Sequence, residues 1–217
     1  HVSSDLLDRV LQMLHLFIGT SYWKMYCPKL IQLEKMKLTR EQAEFWNTVY
    51  TKGLGEFFYK NQIDFRGLVQ FPFDERYQPE RSILVERRHR SLVPFGGGKD
   101  SILTVERLKS HGEEFRLYWM GSFPLLEDLV RSMGRESLTV KRELDAGMMK
   151  QSLNKEVPYN GHIPISTLYM LTGVLSCVLF DYEAVVLSNK FSANFGNIEY
   201  LRQEINHQWS KSEKKKK

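Results

Sequence analysis

The apolar positions of this chain follow two rhythms, and the change of rhythm divides it. From Leu6 to Tyr26 they recur at helical spacing, with Leu7, Val10, Leu11, Leu14 and Ile18 predicting one buried face. Ser3 or Ser4 can cap this helix, and Pro28 ends it. Thr39 opens a second helix, TREQAEFWNTVYTKGLGEFFYKN, with Gln42 placed for a capping box. Phe45, Trp46, Val49 and Tyr50 supply its buried side, and Gly53 and Gly55 weaken its middle. Aromatic residues crowd both helices (Tyr22, Trp23, Tyr26, Phe45, Trp46, Phe57, Phe58, Tyr59). A packed helix pair accounts for them better than stacking on a nucleobase.

Residues 63–90 carry Pro72, Pro79 and mixed charges, and predict a connecting segment with one or two short strands, VQFPF and SILVE. Beyond Ser91 the rhythm alternates. A strand at Leu92–Phe95 precedes a helix at Ile102–His111, a strand at Phe115–Met120 and a helix at Pro124–Met133. A strand at Leu138–Leu144, a weakly helical stretch at Asp145–Gly161, a long helix from Pro164 and a strand at Ala184–Leu187 follow. The predicted class is α/β: a Rossmann-like parallel sheet covered by helices on both faces, preceded by an aromatic-rich helical region. The predicted division is 1–62 helical, 63–90 connecting, 91–212 α/β nucleotide-binding and 213–217 a basic tail.

Composition narrows the classes. With 42% hydrophobic and 26% charged residues in 217, the chain suits a soluble globular protein of one domain or two small ones. Ile163–Phe180 is apolar but contains Pro164, Thr172, Gly173 and Ser176, so it reads as a buried helix, and no membrane insertion is expected. The net charge of +5 favours an anionic ligand; much of it sits in the terminal lysines, and no nucleic acid is expected as partner. Cys27 and Cys177 stand alone in apolar contexts, without Cys-x-x-Cys, which predicts packing thiols, a cytoplasmic location and no zinc site.

The stretch SLVPFGGGKDS, Ser91–Ser101, carries the chemistry. A strand, a glycine turn and a helix start present backbone N–H groups to a phosphate, and glycine lets the backbone approach it closely. Asp100 or Ser101 can cap the helix. In parallel sheets ligands bind beyond the carboxyl ends of strands, where Gly96–Ser101, Gly121–Ser122 and Ser188–Asn197 lie. The last of these, SNKFSANFGN, is therefore read as part of the site rather than a plain surface loop. Asn206–Ser212, NHQWSKS, is either a helix start or a loop over the site.

The spacing differs from a P-loop and resembles the PP-loop of the N-type ATP pyrophosphatases, Ser-Gly-Gly-x-Asp-Ser. Gly97, Gly98, Asp100 and Ser101 match, and Gly96 stands where that pattern has serine. FGGGKDS, NGHIPIS at Asn160–Ser166, the SN and SAN residues of Ser188–Asn197, NHQWSKS and the aromatic N-terminal helices together resemble one family over nearly the whole chain. It is the ATP-dependent UDP-N-acetylmuramoyl-L-alanyl-L-glutamate epimerase family. Lys190 departs from it, standing where the family has an acid, and the family extends further at its C-terminus.

The resemblance implies adenylation of the substrate's terminal α-carboxylate by ATP, with release of pyrophosphate, inversion at Cα and release of AMP. The substrate is a nucleotide-linked muramoyl dipeptide. ATP contacts fall to Gly96, Gly97, Gly98, Lys99, Asp100, Ser101, Gly121, Ser188 and Asn189, and a Mg2+ to Asp100. Lys99 offsets the charge of the leaving pyrophosphate. His162 and His207 are the acid/base candidates, each with a structural, hydrogen-bonded histidine as the alternative. Substrate contacts are expected from Ser192, Asn194, Asn197, Asn206 and Lys211. Two other readings stay open: a related adenylating enzyme acting on another carboxylate or on RNA, and a nucleotide-binding module without chemistry. The absence of paired cysteines argues against sulfur transfer.

Overall fold

The computed structural model describes residues 2–78, 81–196 and 198–212. In chain order its elements are α1 (Ser4–Tyr26), α2 (Arg40–Gly53), α3 (Gly55–Lys60), β1 (Ser91–Pro94), α4 (Lys99–Ser110), β2 (Phe115–Met120), α5 (Pro124–Ser132), β3 (Ser137–Val140), α6 (Ala146–Leu153), α7 (Ile165–Phe180), β4 (Ala184–Val185), β5 (Ile198–Tyr200) and β6 (Gln203–Ile205). Short 3-10 turns lie at Phe191–Asn194 and Trp209–Lys211. The chain divides into two compact units, each gathered from distant segments. The first takes the chain up to Leu14, Ile83–Glu143 and Ser166–Lys190. The second takes His15–Ser82, Leu144–Ile165 and the chain from Phe191 onward.

In the first unit the strands pair in parallel in the order β3-β2-β1-β4. Period-two alternation sends successive residues of β1 and β2 to opposite faces. Val93, Phe95, Leu117 and Trp119 pack with Val105 of α4 and Val130 of α5. Leu92 and Tyr118 pack on the other face with Cys177 of α7 and with Tyr182. Both faces are thus covered, as the alternating pattern predicts. Leu92 and Val93 are fully buried, which is worth about 1.5–3 kcal/mol for each side chain. The strand order matters for the site. The chain steps from β1 outward to β2 and β3, then returns to add β4 on the other side of β1. The carboxyl ends of β1 and β4 therefore border the switch point, where a crevice opens in such sheets.

The second unit is helical and aromatic. The Thr39 hydroxyl accepts a bond from the Gln42 amide at 3.2 Å, and the Gln42 side chain accepts from the Thr39 amide at 2.9 Å, completing the predicted capping box. Replacing Thr39 by alanine is expected to destabilise the protein by about 1 kcal/mol, read as a lower urea midpoint at unchanged slope. Trp23 meets Tyr50 and Phe58 edge-on, and Phe58 stacks on Phe65 at 5.3 Å. These rings form a core, as expected.

Several elements differ from expectation. The second predicted helix is two, because Leu54 leaves helical geometry between α2 and α3. VQFPF forms no strand: the Phe71 amide donates to the Asn47 side chain at 2.7 Å rather than to a neighbouring strand. SILVE also forms none, and its Leu84 is fully exposed. Of the predicted α1 face, Val10 is buried but Leu11 and Ile18 are exposed, and Leu16, Phe17 and Trp23 are buried instead. That helix is apolar on more than one side, so its sequence leaves the packed side undetermined. Among the described residues no helix is long and apolar enough to cross a membrane.

Candidate functional site

The glycine loop joins β1 to α4 in the first unit. Gly97 has φ +71°, the left-handed region that disfavours side chains, and a Cβ there would touch Leu126 and Leu129 of α5. Gly96 and Gly98 have open space where a Cβ would stand, so serine at position 96 would fit. Gly98 is the N-cap and α4 starts at Lys99, earlier than expected. This corrects the capping assignment. Asp100 and Ser101 lie in the first turn, and no side chain caps the helix. The Ser101 hydroxyl instead donates to the Gly98 carbonyl at 2.8 Å. The first-turn N–H groups have no acceptor within the helix, and the macrodipole adds a partial positive charge there.

Beyond β4, Ser188 comes to this same helix: its hydroxyl and that of Thr104 lie 2.8 Å apart. Lys190 Nζ stands 3.7 Å from the Asp100 carboxylate. An acid at position 190 would have faced another carboxylate, whereas lysine meets an opposite charge. Both side chains stay partly exposed, at 49% for Lys190 and 37% for Asp100, so the pair adds little stability. Gly96–Ser101 and Ser188–Lys190, remote in sequence, thus converge at the switch point. Gly121, with φ +88°, directly follows β2, and its amide donates to the Val140 carbonyl at 2.9 Å. Trp119, beside it on β2, buries its indole N–H without an acceptor.

For a metal, Asp100 is the carboxylate within the loop. Among the described residues no group of three or more His, Cys, Asp or Glu is arranged to hold an ion. One carboxylate with a lysine beside it suits Mg2+ carried in by phosphates, which keeps most of its ligands from water and phosphate, and does not suit a resident ion.

The second unit contains the remaining expected residues. His162 follows Asn160 and Gly161, which are docked on two helices. The Asn61 side chain donates to the Asn160 carbonyl at 3.1 Å, and Lys24 of α1 donates its ammonium to the Gly161 carbonyl. Burial pushes the half-buried His162 imidazole below its ordinary range, with the nearby charges of Glu56, Lys24, His207 and Lys60 acting as smaller influences. Burial likewise lowers the Lys24 ammonium. Glu56 of α3 is held below the usual carboxylate range first by its hydrogen bond to Lys60, whose Nζ is 2.6 Å away, and also by His162 and His207. The charges of Glu56, Lys24 and His207 thus act on His162, and sequence reasoning missed Glu56 and Lys24. No motif marks either residue; a glutamate and a lysine at helical spacing read as ordinary surface charges.

Asn206 has a structural duty: its amide donates to the Ala193 carbonyl and accepts from the Gln208 amide, at 2.7 and 2.8 Å. It borders a cavity of about 470 Å³ with Thr48, Thr51, Lys52, Gly55 and Trp209. Ser192 and Lys211 are exposed on the 3-10 turns, Asn194 is half-buried, and Asn197 lies outside the described residues. The glycine of SANFGN has a packing reason, since a Cβ on Gly196 would come within 2.5 Å of the Ile205 carbonyl. Both thiols are pushed up to about 11 by burial, in keeping with packing roles.

A family model described as the MurL N-terminal domain matches residues 1–217. The UDP-N-acetyl-alpha-D-muramoyl-L-alanyl-L-glutamate epimerase of Xanthomonas oryzae pv. oryzae is 34% identical over 205 residues, covering 94% of this chain and 45% of that protein. The proteins of the same name from a Micromonospora species and from Salinispora tropica are 33% and 34% identical, over 94% of this chain and 45% and 44% of theirs. The chain thus spans a little under half the length of these relatives. No solved structure matches it significantly.

Proposed function

This chain belongs to the family described as the MurL N-terminal domain, and on that premise we propose that it serves an ATP-dependent epimerase of a nucleotide-linked muramoyl dipeptide in cell-wall precursor synthesis. The substrate is UDP-N-acetylmuramoyl-L-alanyl-L-glutamate, the compound in the relatives' names. The observation that carries the nucleotide half is the convergence of the glycine loop with Ser188–Lys190 at the β1/β4 switch point.

The glutamyl α-carboxylate oxygen attacks the α-phosphorus of ATP. A bond forms between that carboxylate oxygen and the α-phosphorus, and the bond from the α-phosphorus to the pyrophosphate oxygen breaks, leaving an acyl-adenylate. The first-turn amides of α4 and the Lys99 ammonium hold the departing pyrophosphate. Bound with the phosphates, Mg2+ would neutralise charge there, with Asp100 as its protein ligand. Adenylation removes the carboxylate's charge, so the Cα proton becomes acidic enough to remove. His162, kept neutral by burial, accepts it. His207 returns a proton to the opposite face, and water then cleaves the mixed anhydride to AMP and the D-glutamyl product. The protein works in the cytoplasm, where nucleotide-linked precursors are made.

Incubating the full-length protein with ATP, Mg2+ and this substrate is expected to yield AMP and D-glutamate, followed by mass spectrometry and chiral analysis of hydrolysed product. AMP formed on another acceptor only, or ATP bound without turnover, overturns the reading.

A further inference from the structure

Resting on His162 and His207 as the acid–base pair, we propose that Glu56 and Lys24 are positioning residues. They are an anion from α3 and a cation from α1, held against the backbone that leads into His162, that set which protonation state of its ring meets the substrate.

The backbone leading to His162 is pinned at several points. Asn160 is bonded from Asn61 and, through its own amide, to the Ser152 hydroxyl at 2.7 Å. Gly161 has φ +150° and lies so close to α3 that a Cβ would be 3.3 Å from Phe57. Lys24 closes the other side through the Gly161 carbonyl. Glu56 is equally fixed, because Lys60 one turn on holds its carboxylate and its side chain is only 20% exposed. The charges acting on His162 are thus Glu56 and Lys60 from α3, Lys24 from α1 and His207 after β6. They oppose one another: the carboxylate favours the imidazolium, while the ammonium groups and the second histidine favour the neutral ring. A group that abstracts a proton and one that returns it need different protonation states at one pH, and a fixed anion–cation frame imposes such a difference.

The test is a pair of single substitutions in the full-length protein, with histidine ring protons followed by NMR titration beside pH profiles of epimerisation and of pyrophosphate release. Removing the anion in Glu56→Gln lowers the His162 midpoint, so the acidic limb of epimerisation moves to lower pH by roughly half a unit or more. Removing the cation in Lys24→Met raises the midpoint and moves that limb to higher pH, and Lys24→Arg restores it. Pyrophosphate release keeps its profile in all three. Midpoints that stay still or move in the same direction overturn the proposal, as does an epimerisation limb that ignores an observed shift of midpoint. Opposite midpoint shifts in a protein that forms no D-glutamate leave the charge frame standing and overturn the epimerase reading instead.

Discussion

Replacing His162 or His207 by alanine is expected to cut epimerisation by about 10²- to 10⁴-fold, the usual contribution of a placed general acid or base, while ATP–pyrophosphate exchange persists. The separation follows from the division of labour. In the proposed reaction adenylation would draw on the glycine loop, Lys99 and the α4 amides, and the proton transfers at Cα on the two imidazoles. Because burial lowers His162, its neutral form is present at neutral pH and is lost only on acidification. The wild-type rate is therefore expected to fall through an acidic limb lying below the ordinary imidazole range. Equal loss of exchange and epimerisation in either variant, or loss of neither, removes that histidine from the role.

The second large effect concerns Gly97. Its φ of +71° costs any L-residue about 1–2 kcal/mol, and a β-branched side chain would also press on Leu126 and Leu129 of α5. Gly97→Val is expected to weaken ATP binding by more than tenfold in titration calorimetry, because the loop must leave the geometry that presents its amides. Gly96→Ser is the control: that position has open space and no positive φ, so ATP affinity stays within about twofold or rises. Equal losses in both variants would mean that loop composition, not the left-handed turn, governs binding. Tight ATP binding by Gly97→Val would remove the loop from the site altogether.

What could be read in advance depended on how local the cause was. The β2 bounds, the end of α1 before Pro28 and the Thr39 box came from signals within a few residues of each other, whereas α4 starts before the residues expected to cap it. The hairpin β5–β6 was not foreseen. It turns on Leu201 and Arg202, both at positive φ, without the Asn-Gly or Asp-Gly pair that announces such a turn. VQFPF and SILVE had strand-forming residues, but no partner strand lies beside them in the fold. Ser188 was placed with the glycine loop by a topological rule, and the Thr104–Ser188 contact agrees with it. Lys190 stood out by residue type alone; only its nearness to Asp100 explains how a reversed charge is tolerated there.

The sequence by itself determined the α/β class, the glycine turn between β1 and α4 and the family, because each is written in short runs of residues whose conformations are set by their neighbours. The tertiary structure alone decided which side of α1 is buried, that Gly121 spends its amide on β3, and that the charges of Lys24, Glu56 and His207 act on His162. Those residues are separated by tens to over a hundred positions, and nothing in the chain's local chemistry says which of its many charged side chains will be folded against a histidine. Their electrostatics exist only once α1, α3 and the two late loops are packed, since a charge acts on a neighbour through space and not along the chain.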